Sequence, residues 1–293
     1  MATSVAERFT LKSASQSRYY VYYMIMSTNQ PLARPIHVVM FGSGPELNPD
    51  AKQFLCMLEE HPEIELLGAF CQAEGQSITA VFADLWKRRG LLSFPLFAVW
   101  LLNMAVRFVL HPREELTLKR KLKNIEERIH FIPNIHAGQV LEQVKTLEPD
   151  LGLIYGSPIL KPELFGIPRL GTLGIHHGKV PEYRGNKTTF WAMYNGEDFA
   201  GVTIQKVNKG LDTGAIVKTG EVKAYRRAYQ AVFRELEALG VELYIQAILE
   251  VKHGVAEYKP QTGVKGKLYR NPKLGDFIRF WGRQLKRRLR IGE

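Results

Sequence analysis

Short apolar runs alternate regularly with helix-like segments along this chain, and that alternation limits the folds open to it. Ile36 to Phe41 is an apolar run that ends in Gly42-Ser43-Gly44, the pattern of a buried strand closed by a tight turn. Asn48-Pro49-Asp50 then places Pro and Asp at the start of a helix expected to reach about Glu60. Further strands are expected at Ile64 to Cys71, Arg128 to Ile132, Leu151 to Tyr155, Thr172 to His176 and Val202 to Val207. Gly138 to Leu147 reads as a helix between two of them, and Phe233 to Val251 as a long helix near the end. The pattern predicts an α/β fold: a doubly wound, mostly parallel sheet with helices on both faces. Leu47 stands where a dinucleotide fingerprint needs its third glycine, so the first turn reads as the mouth of a sheet and not as a phosphate loop.

A chain of 293 residues, 45% apolar and 24% charged, can bury a core as one large domain with or without an appendage. We expect a loose extension over 1–33, a catalytic domain over 34–225, and a C-terminal helical extension with a basic tail over 226–293. The extension carries one acid, Glu7, and reads as a transit-like peptide or as sequence upstream of a start at Met24 or Met26. The net charge of +11 favours anionic partners. Two cysteines, Cys56 and Cys71, make no disulfide framework and read as buried thiols of a reducing compartment. His176 and His177 are adjacent and would point to opposite faces of a strand, a poor chelate, so no metal is expected.

Two segments bear on location. Leu91 to Leu110 is almost wholly apolar, but Pro95, Asn103 and Arg107 argue against a membrane span. It reads as an inserted helix packed on the domain, on a homodimer partner, or at a membrane surface. Near the end, Leu274, Phe277, Ile278, Trp281, Leu285 and Leu289 share one side of a helix, with Arg279, Arg283, Lys286, Arg287 and Arg290 opposite. Such a helix suits peripheral contact with an anionic membrane or docking on its own domain.

The stretch from Leu173 to Gly214 carries the chemistry. His176 closes a predicted central strand, where α/β sheets place ligands. Asp212 lies 36 positions on, in the loop Gly210-Leu211-Asp212-Thr213-Gly214. Acyl transfer to an amine needs a proton acceptor and a stabiliser for the developing oxyanion. A carboxylate beside an imidazole raises the imidazole's pKa. An imidazolium at His176 could then donate to the oxyanion while Asp212 removes the amine proton.

The same stretch resembles the core of the folate-dependent formyltransferases, in particular the amino-sugar N-formyltransferases and the catalytic domain of methionyl-tRNA formyltransferase. Gly174-Ile175-His176-His177-Gly178, Tyr183-Arg184-Gly185, Asn195-Gly196-Glu197, Gly201-Val202-Thr203-Ile204 and Leu211-Asp212-Thr213-Gly214 carry the likeness. The resemblance implies 10-formyltetrahydrofolate as formyl donor, with His176 and Asp212 catalytic. It implies a folate pocket along Tyr155, Gly156, Ser157, Ile159 and Leu160. Around the site it implies substrate contacts from Gly174, His177, Lys179, Tyr183, Arg184, Gly185, Asn186, Gly210 and Leu211. Gly174 stands where the family has an Asn, and His177, Lys179 and Asn186 are the nearest candidates for a substitute donor. The short stretch after the core makes an amino-sugar acceptor on a nucleotide or lipid phosphate the expected one, with no nucleic acid and a cytoplasmic enzyme. A catalytically impaired folate or sugar binder and a methionyl-tRNA formyltransferase-like enzyme are the alternatives.

Overall fold

A computed structural model describes residues 32–44, 49–73, 112–262 and 266–289, with scattered positions between 79 and 102. Nearly all of the expected 1–33 extension and most of the expected 91–110 helix lie outside the described residues, as does Leu47.

Strands β1 (Ile36–Ser43), β2 (Ile64–Gln72), β3 (Ile129–Ile132), β4 (Leu151–Ile154), β5 (Thr172–His176), β7 (Phe199–Lys206) and β8 (Ile216–Lys223) form one sheet in the order β3-β2-β1-β4-β5-β7-β8. The first five are parallel; β7 runs antiparallel to β5, and β8 antiparallel to β7. Two three-residue strands, β6 (Tyr183–Gly185) and β9 (Lys267–Tyr269), pair separately. The helices are α1 (Pro49–Glu60), α2 (Pro112–Lys123), α3 (Gly138–Thr146), α4 (Pro162–Phe165), α5 (Thr188–Asn195), α6 (Tyr229–Lys252) and α7 (Leu274–Leu289).

The residues of β1 show why both faces are covered. Successive strand side chains point to opposite sides. Ile36, Val38 and Met40 pack with Phe54, Leu55 and Leu58 of α1 and with Tyr244 and Ile248 of α6. Val39 and Phe41 pack the other way, with Val140 and Val144 of α3 and Leu164 of α4. A stretch of strand buried on both faces must be apolar, and Val38–Gly42 is, with the polar His37 and Ser43 only where burial is incomplete. Cys56 and Cys71 are buried free thiols, and burial pushes Cys71 up to about 12.

The boundary expected at 225/226 does not separate two cores. Val232 and Leu236 of α6 pack with Ala200, Val202 and Val222 of β7 and β8, while β9 extends β6. Helix α6 thus covers the β7–β8 part of the sheet as part of the same core. The Tyr244 hydroxyl, fully buried, donates to the Leu173 carbonyl at 2.8 Å and accepts from Ile154 N–H at 3.0 Å. It pins β4 to β5 just before the strand end that carries His176.

The broad apolar arc of α7 is only partly used. Phe280 is buried against Phe190 of α5, ring centroids 4.8 Å apart, and Gln284 is buried beside it. Leu274, Ile278, Trp281 and Leu285 remain exposed. Among the described residues, no helix is long and apolar enough to cross a membrane.

Candidate active site

His176 ends β5 and is buried. Its strand end is fixed by hydroxyls: Thr189 donates to the His177 carbonyl at 3.2 Å, Thr188 donates to the same oxygen, and Thr203 donates to Gly178 O at 2.8 Å. The loop between β7 and β8 folds back so that Asp212 stands beside the imidazole, with Oδ1 3.5 Å from His176 Nδ1. The two residues that the sequence separates by 36 positions are therefore neighbours.

The loop is shaped for that purpose. Asn208 acts as a template: its Oδ1 accepts from Gly210 N–H at 3.0 Å and Thr213 Oγ1 at 2.8 Å, and its Nδ2 donates to Thr213 O at 3.1 Å. Gly214 is required, since a Cβ there would lie 1.5 Å from the Lys206 carbonyl oxygen. Asp212 itself has φ 50°, a left-handed backbone that costs a non-glycine residue of order 1 kcal/mol or more. The surroundings hold it there. Gly185 N–H donates to Asp212 Oδ2 at 2.7 Å, and Arg184 donates to the Leu211 carbonyl from Nη2 at 2.6 Å and Nε at 3.0 Å. Gly185, with φ 95°, brings its backbone against Tyr269 O, where a Cβ would approach to 2.2 Å.

Arg184 and Gly185 thus hold the Asp212 loop. The Tyr183 hydroxyl donates to Glu197 at 2.6 Å and accepts from Asn195 at 3.0 Å, which ties β6 to the end of α5. Asn186 is exposed, and its backbone N–H donates to Tyr269 O at 2.9 Å. Leu211 is half-exposed at the loop tip.

Two expectations about His176 change. Its Nε2–H donates to the Tyr183 carbonyl at 2.8 Å, so both ring nitrogens are committed inside the protein and neither faces outward to an oxyanion. Burial, the largest influence, lowers its pKa against the opposing pull of Asp212. The ring is thus held toward the neutral form, with a bare Nδ1 facing a carboxylate.

His177 points to the other face of the sheet, as adjacent strand residues must. Its Nε2 lies 2.7 Å from Glu237 Oε2 of α6, its ring sits 5.4 Å from that of Phe233, and the Tyr155 hydroxyl donates to the same carboxylate. Lys179 pairs with Glu221 at 2.7 Å. Both line a cavity of about 240 Å³ together with Thr188, Glu197, Asp198 and Glu221; neither His176 nor Asp212 lines it. His177 and Lys179 are therefore not placed to replace a donor at position 174.

The 155–160 stretch is divided. Tyr155 and Leu160 are core residues, the Tyr155 ring stacked 4.9 Å from Phe54. Ile159 is exposed, Ser157 donates to the Pro158 carbonyl at 2.6 Å, and the Gly156 carbonyl accepts from Ser43 of β1. Gly174 lies in the middle of β5, and a Cβ there would make only ordinary contacts, 3.5 Å to Val207 Cγ2 and 3.7 Å to Ile154 Cβ.

Sequence reasoning missed two residues. Gln205 of β7 is buried, and its Nε2 donates to Asp212 Oδ1 at 3.3 Å. Gln261 Nε2 lies within hydrogen-bond reach of Gln205 Oε1 at 3.1 Å, Asp212 O at 3.1 Å and Gly214 O at 2.8 Å. The signal for Gln205 was a polar amide one step after Ile204 in a predicted strand. Gln261 leaves no such trace. Among the described residues no cluster of His, Cys, Asp or Glu could hold a metal ion.

Residues 120–248 match the family model described as formyl transferase. The methionyl-tRNA formyltransferase of Thermodesulfovibrio yellowstonii is 35% identical over 126 residues, which cover 42% of this chain and 41% of that protein. The chain thus spans about two fifths of the length of this curated relative. A sugar N-formyltransferase from Shewanella sp. superposes with a TM-score of 0.54 at 15% identity, over 84% of this chain and 86% of its own. A phosphoribosylglycinamide formyltransferase from Bacillus halodurans does so with a TM-score of 0.50 at 16% identity, over 75% of this chain and 94% of its own. At those identities the two solved structures speak to the fold. The matched segment holds both His176 and Asp212, so it is through the residues of the site that the chain is similar to the formyltransferases.

Proposed function

We propose that this protein transfers a formyl group from 10-formyltetrahydrofolate to a primary amine, an amino sugar carried on a nucleotide or lipid phosphate. The observation that carries the reading is the meeting of His176 and Asp212 at 3.5 Å, on a strand end and a strained loop. The amine nitrogen attacks the formyl carbon, the new C–N bond forms, and the oxygen gains negative charge. The bond from that carbon to the donor nitrogen then breaks, and the donor nitrogen takes up the proton the amine has lost. The pair suits this traffic. His176 Nε2–H is spent on Tyr183 O, so Nδ1 and Asp212 Oδ1 face each other one proton short. A proton leaving the amine fills that gap, shared between the two groups, and is then available to the departing nitrogen.

The net charge of +11 supports a phosphorylated acceptor. A second reading, methionyl-tRNA as acceptor, is favoured by the 35% identity to an enzyme of that name. The test is to incubate the protein with 10-formyltetrahydrofolate and either nucleotide-linked amino sugars or methionyl-tRNA, following tetrahydrofolate release. Release with an amino sugar is the expected result. Release with methionyl-tRNA alone moves the assignment to the second reading, and none with any amine overturns both.

The exposed stripe Leu274, Ile278, Trp281 and Leu285 on α7, in a helix that also carries Arg279, Arg283 and Lys286, supports peripheral contact with an anionic membrane beside a lipid-linked sugar. Ile278→Ser with Trp281→Ser leaves the buried Phe280 untouched and should reduce pelleting with anionic vesicles. Added salt should reduce the remainder, each basic residue at the surface contributing about 1 kcal/mol. No pelleting of the unaltered protein at low salt would remove the idea.

A further inference from the structure

Formyl transfer places negative charge on the formyl oxygen, and that charge needs a hydrogen-bond donor. The His176–Asp212 pair does not supply one in this geometry. The imidazole spends Nε2–H on the Tyr183 carbonyl and turns Nδ1 to Asp212, and a carboxylate only accepts.

Gln205 stands at the right place. In the antiparallel register of β5 and β7 it lies directly opposite Gly174. Residues directly opposite share a face of the sheet, and Gly174 shares its face with His176 two positions on. The Gln205 side chain is therefore on the His176 face. Its orientation is fixed from both ends. Oε1 accepts from Gln261, and Nε2 donates to Asp212 Oδ1. Nε2 carries two hydrogens. One is on Asp212; the other has no acceptor recorded among the described residues. Beside it lies a buried space of about Cβ size, because Gly174 has no side chain. The space a Cβ would take is bordered by Val207 Cγ2 and Ile154 Cβ, both apolar carbons. A donor next to an apolar-walled gap acts with little competition from water.

We propose that Gln205 is the oxyanion donor of this site: its second Nε2 hydrogen bonds the formyl oxygen as charge develops, while its first keeps Asp212 aligned. Gly174 leaves the room for that oxygen. The inference rests on the formyl-transfer reading.

The test is Gln205→Met, which keeps side-chain length and removes the donor, and Gln205→Ala alone and with Gly174→Asn. Each is checked first by thermal melting. Gln205→Met and Gln205→Ala should lower kcat about 10² to 10³-fold with little change in KM for the folate donor. Gly174→Asn, which aims a carboxamide into the same gap from the neighbouring strand, should recover about tenfold or more of the loss in Gln205→Ala. If Gln205→Met does not fold, the Ala variant and its rescue decide alone. If the wild type turns over but the folded variants match it, Gln205 is not the donor and the formyl-transfer reading stands. A loss with no rescue, together with a displaced acid limb of the pH–rate profile, makes Gln205 a positioning residue for Asp212 and overturns the donor role. No turnover of 10-formyltetrahydrofolate by the wild type with any amine overturns the formyl-transfer reading and this inference with it.

Discussion

His176 and His177 are consecutive, and each meets a carboxylate, yet the two pairs differ in kind. His176 faces Asp212 at 3.5 Å, from a loop held in a left-handed backbone by neighbouring hydrogen bonds. His177 faces Glu237 at 2.7 Å, from the middle of α6, with Phe233 against its ring and Tyr155 on the same carboxylate. The first pair is built from a strand end and a strained loop; the second from a strand end and a regular helix. An imidazole beside a carboxylate is therefore no mark of catalysis by itself. What distinguishes the first pair is an incomplete proton inventory, backbone strain, and a donor-bearing neighbour in Gln205. The second pair is a close contact inside the packing of α6 on the sheet, with Glu237 also held by Tyr155.

The largest expected effect separates the pairs directly. Asp212→Asn should cut the rate of tetrahydrofolate release about 10² to 10⁴-fold with the melting temperature nearly unchanged. Glu237→Gln should leave release close to wild type. Equal losses in both variants would erase the distinction between them.

Stability should show the reverse order. Glu237→Ala strands the buried Tyr155 hydroxyl and the His177 ring, and should cost about 2–3 kcal/mol in urea unfolding. An Asp212→Ala cost larger than that would mean the strained loop is held for the fold and not for chemistry.

Acid sensitivity should sharpen the contrast further. Burial lowers the His176 pKa below its ordinary 6.5. Its stabilisation is therefore complete above pH 6.5 and is lost as pH falls through the depressed folded value. Burial would raise Glu237, but His177 and Tyr155 outweigh it and lower its pKa below the ordinary 4.5. Its contribution is complete above pH 4.5 and lost only at lower pH. Unfolding free energy measured from pH 7.5 downward should first decline in this window, where burial also lowers His61 and His136, and His176→Gln should reduce that early decline by the His176 share. A curve flat down to pH 4.5 would contradict the buried, neutral imidazole.

The smallest expected effect lies at the far end of the sheet, away from either pair. Asp150 is buried and accepts from Arg34, Arg169 and His37 N–H, which together outweigh burial and bring it to about 2. Its stabilisation persists above pH 3.8 and goes only as pH falls toward about 2, so Asp150→Asn should change the unfolding curve there and leave the His176 window as it was. A shift in that window would show the two ends of the sheet to be coupled.

The apolar runs of β1, β2, β4 and β5 were legible because a strand covered on both faces has few polar positions to confuse the pattern. β8 was not: Lys218, Glu221 and Lys223 break its alternation, since as the last strand of the sheet it is only part-covered. β6 and β9 are three residues each, too short for a period to register. The apolar stripe of α7 was visible, but not which of its residues the domain would bury. Phe280 meets Phe190, and only the position of α5 decides that.

The sequence by itself determined the α/β class, the strand end that carries His176, and the glycines that let the Asp212 loop turn, because these follow from local backbone preferences and side-chain period. Only the tertiary structure decided what meets what. It brought Asp212 across 36 positions to His176, spent His176 Nε2–H on a carbonyl, and tied Arg184 and Gly185 to the Asp212 loop. It set Gln205 opposite Gly174 and brought Gln261 to hold it. Those contacts depend on strand register and on where a distant segment lands, and neither quantity is written in any local stretch of the chain.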